Sequence, residues 1–480
     1  MFVIILSVIV LLGLLYKYIT RNHDYWKKKN VPHDPPVPFF GNNFDIQFGR
    51  KSLGQKGMEI YNKSKNEKVF GYYRGTIPEL YINDPDIIRH ILSVDFSYFH
   101  YRGFGLNTDL EPLGLNLFNV EGDTWKLVRQ RLTPAFTTAK LKGMFPLIVR
   151  CAEKLKTVLD AQIQKGGDVC DVREIMARYA TEFIGACGFG IDMDTINNEK
   201  TLYRDLGKVI IKLSFSEIFK LGLVDAVPEL KKIIYTGNKK TENIIFEIVT
   251  KVCEQRNYKP SGRHDFIDLL LELRAKGTLV GESLEKMNED GKPIIVEKKF
   301  DHTMLVAQAF VFFAGGFETS SSTSSYALHH LAFNPDIQTR AQEEIKQVLS
   351  KYDNKLCYDA VAEMSLLNMI VKEALRMCPP LGILNRVCAR KYTIPGLNLT
   401  IDPGVKIAIS SQSIHMDEKY YDNPGSRLGE MQAVASLAAF LCNFSVEPAE
   451  CTKYKPEIEP KALATVFKNG LPLKIKRKLS

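Results

Sequence analysis

The chain has 480 residues, 45% hydrophobic and 25% charged, which excludes a collagen-like or disordered chain and leaves room for one large domain or two to three ordinary ones. Lys and Arg number 64 against 55 Asp and Glu, a net +9 that is spread along the sequence with no basic patch interleaved with aromatics. That disfavours nucleic acid and favours anionic surfaces such as lipid headgroups or an acidic partner. The nine cysteines form no CxxC pair and are odd in number, which argues against a disulfide scaffold or a structural zinc site and for a reducing, cytosol-facing compartment.

Residues 2–19 are almost entirely apolar, interrupted only by Ser7, Gly13 and Lys17. As a helix, residues 2–19 span roughly 27 Å, about one hydrocarbon core. A cleaved signal peptide would carry a basic start and a small-residue cleavage site. Here nothing basic precedes the apolar run, and Tyr16, Lys17 and Tyr18 end it. The segment is therefore expected to be a retained anchor over residues 1–20. Lys17, Arg21, Lys27, Lys28 and Lys29 follow, which places the body of the protein on the cytosolic side. Residues 21–50 form a basic, Pro-rich linker containing PPVPFFGN, with Trp26 expected at the membrane interface. Residues 51–480 form the main domain.

Within that domain, 71–83 reads as two short strands around a turn near 76–79. Residues 84–92 read as a helix capped by Asp84 with Pro85 first. The segment Gly122–Leu132, GDTWKLVRQRL, reads as a helix on which Trp125 and Arg129 share a face. They form either a surface cation–π pair or a site for a buried anionic group. Residues 141–276 are helical in pattern; the very apolar stretch 202–230 is a lid, a second membrane contact or core. Residues 277–298 are polar and read as an exposed loop.

The stretch 307–330, AQAFVFFAGGFETSSSTSSYALHH, is apolar nearly all round in its first half, so it reads as a buried helix. Gly315 and Gly316 each cost about 1 kcal/mol there relative to Ala. Glu318 and Thr319 follow directly. The Thr319 hydroxyl can bond back to a carbonyl three or four residues earlier and is expected to bend and open the helix. The result is a polar notch suited to a small polar ligand and to proton transfer. A Gly/Ser linker is the alternative reading. Further on, Asn334 and Pro335 start another helix, and 366–377 is a helix stopped by Pro379 and Pro380. On that last helix Glu373 and Arg376 can pair. Residues 386–409 read as short strands with turns at Pro395–Gly396 and Pro403–Gly404. Strands near each end with helices between, and no βαβ alternation, predict one helix-dominated α+β domain.

Taken together, these stretches resemble the cytochrome P-450 family, the haem-thiolate monooxygenases, over nearly the whole chain, and look closest to its microsomal, insect-type branch. The likeness rests on PPVPFFGN, on WKLVR at Trp125–Arg129 (the family's WxxxR), on GGFETS from Gly315 to Ser320, on EALR from Glu373 to Arg376 (ExxR) and on Arg386 in LNR. The resemblance implies an α+β, mainly helical fold behind one transmembrane helix in the endoplasmic reticulum membrane. It implies haem as cofactor, an NADPH-dependent reductase as electron donor and an apolar small-molecule substrate. It assigns oxygen activation and proton delivery to Glu318 and Thr319, and cofactor contacts to Trp125, Arg129, Gly315, Gly316, Arg386 and Arg427. Glu373 and Arg376 become structural.

The family's ligand to iron is a Cys in a pattern resembling FxxGxRxCxGxRxG. Here the chain reads YYDNPGSRLGEMQ from Tyr420 to Gln432. Gly425, Arg427 and Gly429 match the tail, GxRxG, while Asn423 stands where the ligand belongs. A few dozen residues of the pattern are missing at about 424/425, including the Cys loop. Cys378, Cys388 and Cys442 lack the Gly-rich loop that would hold a thiolate under iron. The resemblance therefore implies either a haem monooxygenase or, for this chain, a catalytically inactive truncated or mis-spliced product with no metal ligand.

Overall fold

Residues 2–19 form helix α1 (Phe2–Ile19), none of whose residues is buried. A computed structural model describes the chain except at residues 105, 199, 264, 421–428 and 479–480, and without the side chains of 429–431. The segment after α1 is packed rather than free. Trp26 is 0% exposed, with its Nε1 donating to the Tyr72 carbonyl at 3.0 Å. The expectation that Trp26 sits at the membrane interface is thus corrected: an indole N–H that finds a carbonyl in the sheet can be buried without loss.

Helix α2 (Leu53–Lys63) starts at a capping box in which Ser52 and Gln55 satisfy each other's backbone amides. Strands β1 (Val69–Arg74) and β2 (Ile77–Ile82) pair antiparallel. Their turn is tighter and earlier than expected, at Gly75 and Thr76. Gly75 has φ +60°, and a Cβ there would lie 2.3 Å from the Asp225 carbonyl oxygen, so only glycine lets the turn dock. Asp84 caps the following helical turn through the amides of Asp86 and Ile87, as expected.

The helical body contains α3 (Gly122–Leu132), α4 (Thr138–Gln164), α5 (Val172–Ile184), α6 (Leu202–Ile211), α7 (Phe215–Ala226), α8 (Lys239–Gln255) and α9 (Phe266–Lys276). A short strand, β3 (Val169–Asp171), precedes α5. The apolar stretch 202–230, left open as lid, second membrane contact or core, is in part core. Leu206, Ile211, Ile218 and Ala226 are buried, while Phe215 and Phe219 are 59% and 56% exposed.

The expected loop at 277–298 is instead a hairpin, β4 (Thr278–Met287) and β5 (Pro293–Lys299). Its alternating small and charged residues let one face pack on α3, and that contact overrides the polar composition. Helix α10 (His302–Ala332) then crosses the body, packed on α5 and on the later α12 (Ser365–Met377) and α13 (Gly429–Leu441). Helix α11 (Pro335–Ser350) follows α10 as expected, but Asn334 makes no side-chain cap; its amide donates back to the His330 carbonyl at 2.8 Å.

The 386–409 region gives β6 (Leu384–Val387), β7 (Tyr392–Thr393), β8 (Thr400–Ile401) and β9 (Lys406–Ile409). The main sheet has the order β1-β2-β9-β6. A second sheet joins β10 (Phe444–Pro448), β11 (Pro472–Arg477) and β3. The two sheets lie among helices, as an α+β chain requires.

Candidate active site

The site is built around α10. The Thr319 hydroxyl donates to the Gly315 carbonyl at 2.6 Å, the back-bond that its spacing implied. The expected opening of the helix is not found: α10 is unbroken α-helix from His302 to Ala332. Packing on both flanks holds it straight. A Cβ on Gly316 would lie 2.3 Å from Ile184 Cδ1, and the Phe317 ring fits only because Gly207 has no side chain. The two adjacent glycines therefore differ in role. Gly316 admits α5, whereas a Cβ on Gly315 would meet nothing within 4 Å. Gly315 and Thr319, four residues apart, line one open face.

Glu318 does not join them. It is 3% exposed and turned toward α5, where its Oε1 accepts from Arg173 Nη2 at 2.9 Å and from the Ser322 hydroxyl at 3.0 Å. Its Oε2 is buried without a hydrogen-bond partner. The notch expected to hold Glu318 and Thr319 side by side is thus split between two faces of the helix, because consecutive residues lie about 100° apart. The linker alternative does not hold. Ser320, Ser321, Ser322, Ser324 and Ser325 are all buried. Ser320 bonds Gln432, and Ser324 bonds Ser436, both on α13.

Trp125 and Arg129 lie on α3. The Trp125 ring packs against Phe96, with centroids 5.7 Å apart. Arg129 makes no ion pair among the described residues and keeps an exposed side chain. Arg386, on β6, donates to the Asn385 carbonyl at 2.7 Å, and its Nε is buried without a partner. Burial pushes the Arg386 guanidinium down. A third cation, Arg102, joins them. It stacks 4.8 Å over the Phe118 ring, and burial followed by the charges of Arg386 and Arg129 pushes it down as well. Arg102, lowered partly by the charges of its two neighbours, and Arg386, with an orphaned buried N–H, concentrate positive charge of the kind an anionic group would neutralise. Sequence reasoning missed Arg102, because a lone Arg in FHYRGFG carries no spacing signal.

Glu373 and Arg376 form a bidentate pair at 2.7 and 2.5 Å. Arg376 Nη1 also donates to the His415 carbonyl at 2.7 Å, tying α12 to the segment that leads into 421–428. Asn423, Gly425 and Arg427 lie outside the described residues. Among the described residues no cluster of His, Cys, Asp and Glu is placed to hold a metal. Burial pushes the Cys378 and Cys388 thiols up to about 11 and that of Cys442 up as well, so these are protonated thiols rather than ligands in waiting.

For haem, the described residues fit at two sides. The arginine charge matches a pair of carboxylates at one edge, and the open Gly315–Thr319 face leaves room over the ring. They do not fit at the third side, since no described group is poised as an axial thiolate.

A buried helix with one open polar face and a separate pair of half-buried arginines are features expected of a protein that encloses a flat anionic cofactor. The Cytochrome P450 family profile matches residues 32–426. The chain is 34% identical to Cytochrome P450 6B2 of Helicoverpa armigera over 97% of this chain and 96% of that protein. It is 32% identical to Cytochrome P450 6a2 of Drosophila melanogaster over 99% and 100%, and 31% identical to Cytochrome P450 6k1 of Blattella germanica over 98% and 96%. The chain belongs to the cytochrome P450 family, the haem-dependent monooxygenases.

Proposed function

We propose that this chain derives from a microsomal monooxygenase of apolar small molecules, xenobiotics or endogenous lipophiles, and that as encoded it is a catalytically inactive product lacking the thiolate. The observation that carries the reading is the direct join of DNP to GSRLG at 424/425, with Asn423 in the ligand's place. Two further findings support it. The family match ends at residue 426, beside that join. The alignment with the Helicoverpa relative runs over 500 positions while covering 97% of this chain, so a few dozen positions of the alignment face no residue here.

Haem, when bound, supplies the redox chemistry that inserts one oxygen atom of O₂ into a substrate, with electrons from an NADPH-dependent reductase. The chain's own residues supply the surroundings. Arg102, Arg129 and Arg386, with Trp125, would hold the propionates, and Arg427 is assigned to the same role. Gly315, where a Cβ would meet nothing within 4 Å, would leave room for the group. The Thr319 hydroxyl spends its proton on the Gly315 carbonyl, which leaves its oxygen lone pairs free to accept a proton-bearing partner from the open face. Glu318, turned to the other face and held by Arg173 and Ser322, keeps one carboxylate oxygen uncommitted. Oxygen chemistry by haem would need a negatively charged donor to the metal, and a carboxamide such as Asn423 donates no charge.

The anchor and α7 support a membrane location for the site. Glu229, just past α7, pairs with Arg21 at 3.2 Å and with the Tyr18 hydroxyl. The exposed Phe215 and Phe219 of α7 therefore belong to the lipid-facing side, with the domain in the cytosol at the endoplasmic reticulum. The test is reconstitution with reductase and NADPH in vesicles, scored by O-dealkylation of an alkoxycoumarin. The chain as encoded is expected to show none, and a version with the missing Cys loop restored is expected to turn over. Turnover by the unrestored chain would overturn the inactive reading.

A further inference from the structure

We propose that Asp123 and Glu285 are positioning residues, through which the β4–β5 hairpin holds Arg102 and Arg129 at the spacing that a dianionic cofactor edge requires. This rests on the haem reading above. Asp123, in the first turn of α3, is 6% exposed. Both its oxygens accept from the Ser283 hydroxyl at 2.9 Å, and it also accepts from the Leu284 amide. Burial would raise its carboxyl, but these donors outweigh it and hold the group below the ordinary carboxylate value. A charged buried carboxylate held by two donors of one strand, the Ser283 hydroxyl shared between its oxygens and the Leu284 amide, is a rigid joint.

Glu285, two residues on, reaches the other arm. Its Oε1 accepts from the Tyr101 hydroxyl and lies 3.7 Å from Nε2 of the buried His100, the two residues before Arg102. Gly122 makes the crossing possible: it has φ +57°, and a Cβ there would lie 2.1 Å from the Glu285 carboxylate. The hairpin continues along α3, with Arg131 donating to the Val280 carbonyl at 2.9 Å and Leu127 packed into the space left by Gly281.

The 100–103 segment is fixed on two more sides. The Gly103 amide donates to Glu121 Oε1 at 2.7 Å, at the start of α3. The Val387 amide donates to the Tyr101 carbonyl at 2.9 Å, beside Arg386. Arg102, Arg129 and Arg386 thus sit on three segments, with Arg102 facing the charges of the other two, and the hairpin pins two of those segments together. Like charges drift apart unless backbone geometry opposes them; Asp123 and Glu285 supply that opposition without touching the ligand.

The test uses the full chain in lipid nanodiscs with four forms: wild type, Glu285→Ala, Arg102→Ala and the double variant. Haem loss is followed by transfer to an excess of apomyoglobin, and amide hydrogen exchange is recorded on the haem-free protein. Positioning predicts roughly tenfold faster haem loss in Glu285→Ala. It also predicts no further loss when Glu285→Ala is added to Arg102→Ala, since the first then acts only through the second. Exchange should rise at 98–103 and 121–126 while α10 and α13 stay as protected as in wild type. Asp123→Asn should raise exchange at 121–126 with the same sparing of α10 and α13. Additive haem loss in the double variant, or exchange that rises evenly across the chain, would overturn the proposal in favour of a plain stabilising strap. If wild type takes up no haem, the haem reading fails. The exchange arm then decides separately whether the hairpin holds the two arginine arms, and unchanged protection at 98–103 would overturn it.

Discussion

At the residue scale, the adjacent glycines of α10 make the sharpest contrast. Gly316→Val forces a branched side chain into Ile184, closer than contact distance, and overpacking of this kind costs about 1–3 kcal/mol. Gly315→Val meets open space, so the fold should keep its stability apart from a small propensity term. The expected outcome is a lowered urea midpoint for Gly316→Val alone, with haem uptake impaired in Gly315→Val; equal midpoints would contradict the division of roles. Arg173→Ala should cost about 3 kcal/mol, because it leaves the Glu318 carboxylate buried and uncompensated, and Arg173→Ala/Glu318→Gln should recover most of that loss. The sequence made the Thr319–Gly315 bond legible, since an i, i+4 relation is local. It could not show Glu318 turning to Arg173, a partner 145 residues earlier, nor Arg102 joining Arg129 and Arg386, because such convergence is a property of the folded chain.

At the element scale, helices were readable from caps and periodicity: Gly122–Leu132 stands where GDTWKLVRQRL placed it, and Phe2–Ile19 is one apolar helix. The β4–β5 hairpin was not readable, because its inward residues are Leu279, Gly281 and Ser283, too small and polar to register as an apolar stripe. The division of α7 also needed coordinates, since an apolar helix that is half core and half exposed has one composition. The lipid-facing assignment predicts that Phe215→Ser/Phe219→Ser, combined with removal of residues 1–20, moves the protein from membranes to the soluble fraction, while removal of the anchor alone leaves part of it bound. Full release on anchor removal alone would contradict it. With α1 present, alkaline carbonate extraction should leave the chain in the membrane pellet.

At the scale of the whole molecule, histidines set the acid limit of stability. Burial is the leading cause of lowered values at His23, His302, His329, His330 and His415. Each is held neutral in the fold and gains a proton more readily when unfolded, near 6.5. Their contribution is therefore complete above pH 6.5 and is lost as pH falls through the folded values. Asp225, raised by burial, acts with the opposite sign, losing stability as pH rises. The thermal midpoint should drop between pH 7 and about pH 5, before most carboxylates titrate, and His329→Gln/His330→Gln should flatten the drop. A flat profile in the wild type would contradict this.

The central claim is that the chain keeps the distal face and the arginine charge of its family but not the thiolate. The measurement that tests it most directly is the carbon monoxide difference spectrum of the reduced, membrane-reconstituted chain supplied with haem. The account predicts no strongly red-shifted Soret band of the thiolate type, and its appearance once the segment missing at 424/425 is restored. A full thiolate-type band from the 480-residue chain, at one haem per chain, would contradict it.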